Sequence, residues 1–454
     1  MTRTKIISTF GPALSDTSIL KDALNYADII RFNFSHGTPE EKLEAKEKVL
    51  KLSKELNKDI ALLADLPGPK IRVAKLENDV SIKTGDTIIF SHISNVKAGE
   101  VPIEIDIFDD MKVGCEISIG DGNPKLIIKD LKDRKIICTA LQDGKIASRK
   151  GINVKGVNMS AAPPTKEDLN LIEFVRDNGF DYVALSFVKN AQNVKEARKL
   201  SGNLLIISKI ERQEAITDIK EIVKESDGIM IARGDMALNI EFNQVPIVQD
   251  LIIKECRSQG KPVIVATQML ASMTSNQSPT RAEMTDVSNA VKSETDCVML
   301  SDETAVGKYP LDALKAMSSI ISYTEAVGLA NRDREQIKNI NNQHEGIALA
   351  VVGITKTCKT ESIFIPTVTG KTAKILSSFR PDSEIIAITE SEVLRRSMCM
   401  YYGIKGINLG KYSNEEELNT LIKNYAEKLS IHPYIIVFGK SAKNGSSDTI
   451  KCVW

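Results

Sequence analysis

The chain of 454 residues is longer than a usual single domain, and 42% hydrophobic with 26% charged residues is ordinary for soluble globular protein, so two or three domains are expected. Lysine plus arginine equals aspartate plus glutamate at 60 each, which leaves no global basic excess to attract nucleic acid or an anionic membrane surface; an anionic ligand must be met by local charge. Seven scattered cysteines without a Cys-x-x-Cys pair fit reduced thiols, four separated histidines exclude a histidine-rich zinc site, and no window has the length of a signal peptide or bilayer span, so a cytoplasmic protein is expected in which only a hard, oxygen-bound cation has ligands available.

In chain order, the first β-type run is 4–9 and the second 29–35, where Arg31, Asn33 and Ser35 alternate and so share one strand face. Thr38-Pro39-Glu40-Glu41 then has the hydroxyl-to-acid spacing of a helix start, and the third run, 60–65, ends in Asp65. From about residue 73 to 157 the helical period disappears, and short runs at 86–90, 116–119, 125–128 and 135–139 are separated by Gly85-Asp86, Gly114, Gly120-Asp121-Gly122 and Asp143-Gly144 turns. This predicts a small β domain inserted in a loop, placed to act as a lid. Helical and strand signals resume at Thr165-Lys166-Glu167-Asp168, 182–187, 204–210, 228–235, 262–268, Ser278-Pro279 and 297–301. Eight β/α units in all predict a closed (β/α)8 TIM barrel, whose active site gathers at the carboxyl ends of its strands. A second β/α series, with runs at 362–365, 384–389, 406–409 and 434–438, predicts a separate C-terminal α/β domain. The expected boundaries are 1–72 and 158–323 for the barrel, 73–157 for the inserted small β-barrel domain, and 324–454 for a C-terminal regulatory domain.

Hydrocarbon gives way to charge at several of these strand ends. In 204–211, Leu-Leu-Ile-Ile is followed by Ser208-Lys209-Ile210-Glu211, so an amine and a carboxylate share a face, and alternation places Arg233 and Asp235 together likewise. Buried charges persist only when they pair, bind metal or do chemistry. Asp65, Glu211 and Asp235 supply acids enough for a magnesium ion, Arg31, Arg72, Lys209 and Arg233 supply positive charge for a phosphorylated anion, and Thr267 and Ser301 close the ring with hydroxyls.

The stretches Thr9-Phe10-Gly11-Pro12-Ala13, Arg31-Phe32-Asn33-Phe34-Ser35-His36-Gly37, Gly68-Pro69-Lys70-Ile71-Arg72, Ser208-Lys209-Ile210-Glu211, Ala232-Arg233-Gly234-Asp235, Ala266-Thr267-Gln268-Met269-Leu270 and Met299-Leu300-Ser301-Asp302-Glu303-Thr304-Ala305 resemble, in order and spacing, the pyruvate kinase family, from residue 4 to the C-terminus. The resemblance implies the glycolytic transfer of phosphoryl from phosphoenolpyruvate to ADP, giving ATP and, after protonation of the enolate, pyruvate. It also implies Mg²⁺ (or Mn²⁺) held by Glu211 and Asp235, a phosphoryl-stabilising Lys209, and substrate contacts from Arg31, Arg233, Gly234, Asp235 and Thr267. Arg31 and Arg72 would grip phosphate, Asn33, Phe34, Ser35, His36 and Arg72 would face the nucleotide, and Ser301 is the candidate for the proton relay. A homotetramer is implied as well.

Departures from the family pattern carry their own expectations. Many members have Gly-Pro-Glu-Ile-Arg where this chain has Lys70, and in that form Asn33, Ser35, Asp65 and the carbonyl of residue 66, here Leu66, would cage K⁺. A tethered ammonium at Lys70 supplies that unit of positive charge, which predicts activity without added K⁺. Lys189-Asn190 stands where Arg-Lys is common, and Asp302 where glycine is, so Asn190 is not nominated as a phosphate ligand. In the C-terminal domain Thr367-Val368-Thr369-Gly370-Lys371-Thr372 resembles the family's effector loop, with Thr367, Thr369, Gly370, Lys371 and Thr372 as candidates for a sugar phosphate or AMP; it lacks the first glycine of a Walker motif. Two other classes compete. A metal-dependent aldolase or lyase stabilising a pyruvate enolate has similar acids at a barrel mouth but no inserted β domain and no use for a nucleotide, while a non-catalytic scaffold would tolerate Lys209→Ala.

Overall fold

The computed structural model describes residues 2–120, 122–329, 343–438 and 449–454. Asp121 of the expected Gly120-Asp121-Gly122 turn, residues 330–342 and residues 439–448 of the expected C-terminal domain lie outside the described residues. Eight parallel strands, β1 (Lys5–Thr9), β2 (Ile29–Asn33), β3 (Ala61–Asp65), β4 (Tyr182–Leu185), β5 (Leu205–Ile210), β6 (Gly228–Ala232), β7 (Val263–Ala266) and β8 (Cys297–Leu300), close into a barrel in sequence order. The expected helix starts at Thr38 and Thr165 are full capping boxes, with the hydroxyl bonded to the third helical amide and Glu41 or Asp168 returning the bond. In the third case the cap is Thr280, with Glu283 as its partner, so Pro279 precedes the cap instead of opening the helix Arg281–Lys292.

Strand alternation divides the barrel into two cores. Ile6, Ile30, Leu62, Val183, Ile206, Ile229, Val265 and Val298 pack outward against the helices. Ile7, Ile29, Leu63, Ala184, Ile207, Met230, Ile264 and Met299 belong to the other set, which is continuous with C-terminal-domain residues such as Ile363, Leu376 and Tyr401. Stepping by two along this second set leads from Ile29 to Arg31, from Leu63 to Asp65, from Ala184 to Ser186 and from Ile207 to Lys209 and Glu211. The same period that fills the barrel with hydrocarbon therefore delivers charge to its mouth.

Several expected strand runs stop short, 182–187 at Leu185 and 262–268 at Ala266 among them, and two of the changes re-aim expected site residues. The run 228–235 stops at Ala232, and Arg233–Asn239 is helical, so Arg233 and Asp235 are turned roughly 200° apart instead of sharing a face. The run 29–35 stops at Asn33, whose Oδ1 accepts a bond from the Ser35 amide at 3.0 Å and turns the chain.

The insert is a curled six-stranded sheet, ordered Ile152–Val154, Glu116–Ile119, Lys125–Lys132, Lys135–Ala140, Thr87–His92 and Val101–Ile103, with a ribbon of Val80–Ile82 and Gly144–Ile146. Residues 71–74 run between its two edge strands and stitch them together: the Ile152 amide donates to the Ile71 carbonyl and the Ala74 amide to the Pro102 carbonyl. A core including Val73, Phe90, Leu126 and Ile136 lies inside. The C-terminal unit is a five-stranded sheet, ordered Ile404–Ile407, Glu384–Ile388, Ser362–Pro366, Tyr434–Phe438 and Thr449–Val453, with only the last strand antiparallel. It covers the amino-terminal end of the barrel, where Arg380, Arg395 and Arg396 pair with Asp296, Asp59 and Asp181 at 2.9, 2.8 and 3.0 Å.

Candidate active site at the barrel mouth

Lys209 is the centre of the site. Its ammonium donates to Asp65 Oδ1 at 3.1 Å and to Ser186 Oγ at 2.7 Å, while Asp65 Oδ2 accepts from Arg31 Nε at 2.7 Å. Burial works against the charge on Lys209, but Asp65 and Glu211 more than offset it and hold the ammonium above its ordinary range. Burial likewise opposes the Asp65 carboxylate, yet Lys209 and Arg31 keep it below the usual carboxylate range. Arg31 also donates to Thr9 Oγ1 at 3.1 Å, which in turn donates to the Leu300 carbonyl at 2.7 Å, so a buried network links β1, β2, β3, β5 and β8.

Glu211 is fully buried. Its Oε2 accepts from the Phe187 amide at 2.6 Å, while Oε1 forms an ion pair with Lys209 Nζ at 3.1 Å but accepts no hydrogen bond. Burial pushes the Glu211 carboxyl up, against the pull of Lys209. An acid oxygen that accepts no hydrogen bond, with Asp235 near enough to act on it through charge, fits a small divalent cation whose remaining ligands come from substrate and water, since magnesium needs only one or two protein carboxylates. Among the described residues there is no group of three acids, cysteines or histidines placed to hold a metal alone.

On the opposite rim, Thr267 (φ +69°) and Gln268 (φ +55°) follow β7 in left-handed backbone, which is costly for a β-branched residue. Arg233 holds the bend: it donates to the Thr267 carbonyl at 2.8 Å and pairs with Asp286 at 2.8 Å. Thr267 Oγ1 accepts from the Gly234 amide at 2.8 Å, at the start of helix Arg233–Asn239. Arg233 thus sits behind the rim as a brace, while Asp235 faces the insert and accepts from Lys70 Nζ at 2.8 Å.

The remaining expected residues divide. His36 is exposed, and partial burial followed by the charges of Arg72 and Lys42 pushes its imidazole below the ordinary value, which places His36, Arg72 and Arg31 within one field. Arg72 donates to the Arg149 carbonyl at 3.0 Å in the returning hinge of the insert. Phe34 points the other way: its ring packs edge-on against Phe174 and Phe180 in the outer core, because it is one step out of phase with Asn33. The Leu66 side chain is in the same core, and its carbonyl accepts from Ser186 Oγ at 2.7 Å. Lys70 stands on Asp235; no hydrogen bond joins it to Asn33, Ser35 or Asp65. The Ser301 hydroxyl is buried without a partner, and its amide donates to Glu303 at 2.7 Å. Far from the mouth, Gly370 (φ +75°) caps the helix Lys371–Ser378 and donates to Thr367 Oγ1 at 2.8 Å, with the Lys371 amide 3.4 Å from Thr369 Oγ1, so the expected strand-turn-helix is formed; Thr372 is buried in its first turn.

Sequence reasoning left out four residues of the site: Thr9, Ser186, Phe187 and Glu303. Ser186 and Phe187 lay inside an expected run, and the alternation that located Lys209 also puts Ser186 on the inner face. Phe187 has φ +61°, aims its amide at Glu211, and has the cations of Lys70 and Arg212 at 5.8 and 5.1 Å from its ring. Glu303 is buried and accepts from the Leu270 and Ser301 amides, fixing the ends of β7 and β8 together. A cavity of about 210 Å³ opens beside Lys70, Phe187 and Arg212 toward the insert strand Ile152–Val154.

A (β/α)8 barrel with a charged mouth, a β insert beside that mouth and an α/β unit at its base defines a class of three-part barrel enzymes. The profile of the pyruvate kinase barrel domain matches residues 1–314, and that of the pyruvate kinase alpha/beta domain matches residues 345–453. The chain is 36% identical to pyruvate kinase of Clostridium perfringens over 95% of this chain and 94% of the relative, and 35% identical to that of Thermococcus litoralis over 93% and 92%. It superposes on the crystal structure of a pyruvate kinase from Cryptosporidium parvum with a TM-score of 0.91 at 29% identity, covering 100% of this chain and 96% of that one. The chain belongs to the pyruvate kinase family, a family of phosphotransferases.

Proposed function

We propose that this mouth transfers the phosphoryl group of phosphoenolpyruvate to ADP and protonates the resulting enolate to pyruvate. The observation that carries the reading is the Asp65–Lys209–Glu211 cluster with Arg31 beside it: a buried ammonium and a guanidinium are fixed in position, beside a Glu211 oxygen that accepts no hydrogen bond. Phosphoryl transfer asks for positioning and for positive charge on the equatorial oxygens, and two preorganised cations supply both with little reorganisation. A divalent cation on Glu211 and Asp235 would polarise the substrate's phosphate and enolate oxygens. Lys209 and Arg31 hold the phosphoryl oxygens, Thr267 and the Gly234 amide orient the substrate carboxylate, Arg72 and His36 meet the nucleotide, and Ser301, with its free hydroxyl, lies on the proton path.

Three finer properties belong to the same reading. Asp65 is already charge-balanced by Arg31 and Lys209, and the Asn33 and Leu66 oxygens already accept hydrogen bonds, so the reaction proceeds without added K⁺. The Thr367–Thr372 turn binds an activating sugar phosphate or AMP, supported by its helix start and hydroxyls. A homotetramer is supported by exposed Phe242, Ile247 and Leu251 grouped on neighbouring turns. Pyruvate formation from phosphoenolpyruvate, followed with and without ADP, Mg²⁺, K⁺ and a panel of sugar phosphates and AMP, tests the set. Pyruvate release independent of ADP overturns the kinase reading in favour of an enolate lyase, and a several-fold gain with K⁺ overturns the cation-independent one.

A further inference from the structure

Lys70 rests on a carboxylate nominated for the divalent cation. Its Nζ lies 2.8 Å from Asp235 Oδ1, both side chains being about one quarter exposed, at 26% and 25%. The stem is also bounded by Gly151, which directly precedes the strand Ile152–Val154 and makes an isolated bridge to Arg72. A Cβ built on Gly151 would stand 2.9 Å from Lys70 Cε, and backbone conformation gives no reason for glycine there, since Gly151 is not in left-handed backbone. Phe187, 5.8 Å from the ammonium, completes the enclosure.

We propose that Lys70 is a tethered competitor for the divalent site: with no metal bound, its ammonium neutralises Asp235, and the bare backbone of Gly151 leaves room for its stem. The inference rests on the reading that Glu211 and Asp235 hold the metal. A cation arriving at Asp235 displaces the Lys70 head from Oδ1, so metal affinity in the free protein is set by the difference between two cations for one carboxylate. Gly151 acts through Lys70 and is a positioning residue.

The test is Mn²⁺ binding to the full chain without substrate, read as loss of the free-ion EPR signal. Lys70→Gln binds Mn²⁺ about fivefold more tightly than the unaltered chain, the scale of a partly exposed ion pair. Gly151→Ala keeps the charge but pushes the stem aside, tightens Mn²⁺ in the same direction, and adds nothing in the Lys70→Gln background, because both changes remove one interaction. Mn²⁺ affinity in Lys70→Gln equal to or below that of the unaltered chain overturns the proposal, and a Gly151→Ala effect that persists undiminished in the double variant removes Gly151 from it. Asp235→Asn separates the two levels: if it weakens Mn²⁺ while Lys70→Gln does nothing, only the competition fails, whereas if Asp235→Asn and Glu211→Gln both bind as the unaltered chain does, the metal site fails and the competition with it.

Discussion

Replacing Lys209 by methionine keeps the volume of the side chain and removes its charge. Asp65 and Glu211 are 1% and 0% exposed, so neither regains solvent when the ammonium goes. Breaking a buried ion pair costs about 3–5 kcal/mol, and because Asp65 keeps Arg31 at 2.7 Å the low end, about 3 kcal/mol, is expected. The burden falls on Glu211, whose carboxyl burial already pushes upward and which loses the Lys209 charge that restrained it. An acid whose folded-state pKa lies above its unfolded value binds its proton first in the folded state, so its penalty is relieved as pH falls through that window and is full above it. Urea denaturation at about pH 8 and about pH 5 should therefore show the deficit of Lys209→Met shrinking on acidification. Turnover should fall by roughly two to three orders of magnitude at either pH, since a fixed charge on the transferring group is lost. A deficit that does not change with pH would refute the assignment of the penalty to Glu211, and turnover within a few-fold of the unaltered chain would refute the role of the charge.

Other sites give independent outcomes. Arg233→Lys keeps a charge but loses the fork that spans the Thr267 carbonyl and Asp286, and steady-state kinetics should show kcat/KM lower by roughly one to two orders of magnitude with little change in global stability. Glu303→Gln leaves one acceptor for two buried amides, so thermal unfolding should report a loss of about 1–3 kcal/mol, together with slower turnover as Ser301 shifts. Arg380→Met leaves the buried Asp296 carboxylate with the Val263 and Tyr402 amides but without its counter-charge at the barrel base and should cost about 3 kcal/mol, with hydrogen exchange accelerating first in Glu384–Ile388. In the insert, burial opposes the Glu100 charge but Lys135, Ser91 and the Lys97 amide bring its carboxyl down to about 2; its stabilisation is present above the ordinary carboxylate range and lost as pH falls toward about 2. Glu100→Gln should destabilise the insert at neutral pH, and the difference should vanish in acid.

The barrel was legible because one periodicity carries both its core and its site. Alternation in 204–211 fixed Lys209 and Glu211 on the inner face, and Arg31 and Asp65 followed by the same count. It misled at 228–235, where the local pattern still reads as strand but the chain turns helical at Arg233 to present the Gly234 amide, so Arg233 becomes a brace behind Thr267 and not a partner of Asp235. Phe34 was swept into the site by the motif around it, although its phase against Asn33 sends the ring to Phe174 and Phe180. Contacts between segments far apart in sequence were out of reach: nothing local announces that Lys70 meets Asp235, 165 positions on, that Ser186 links Lys209 to the Leu66 carbonyl, or that Glu303 ties two strand ends together. The left-handed turn at Thr267 and Gln268 leaves no sequence mark, because glycine, the residue that would advertise it, is absent there.

The most direct measurement follows phosphorus. With phosphoenolpyruvate, ADP and Mg²⁺ in potassium-free buffer, ³¹P NMR should show the enol-phosphate resonance decaying as the γ-phosphate of ATP grows in equal amount, with Lys209→Met leaving both nearly unchanged. Release of inorganic phosphate without ATP, or undiminished transfer by Lys209→Met, would contradict the claim that the cations gathered at this rim carry the phosphoryl group from one substrate to the other.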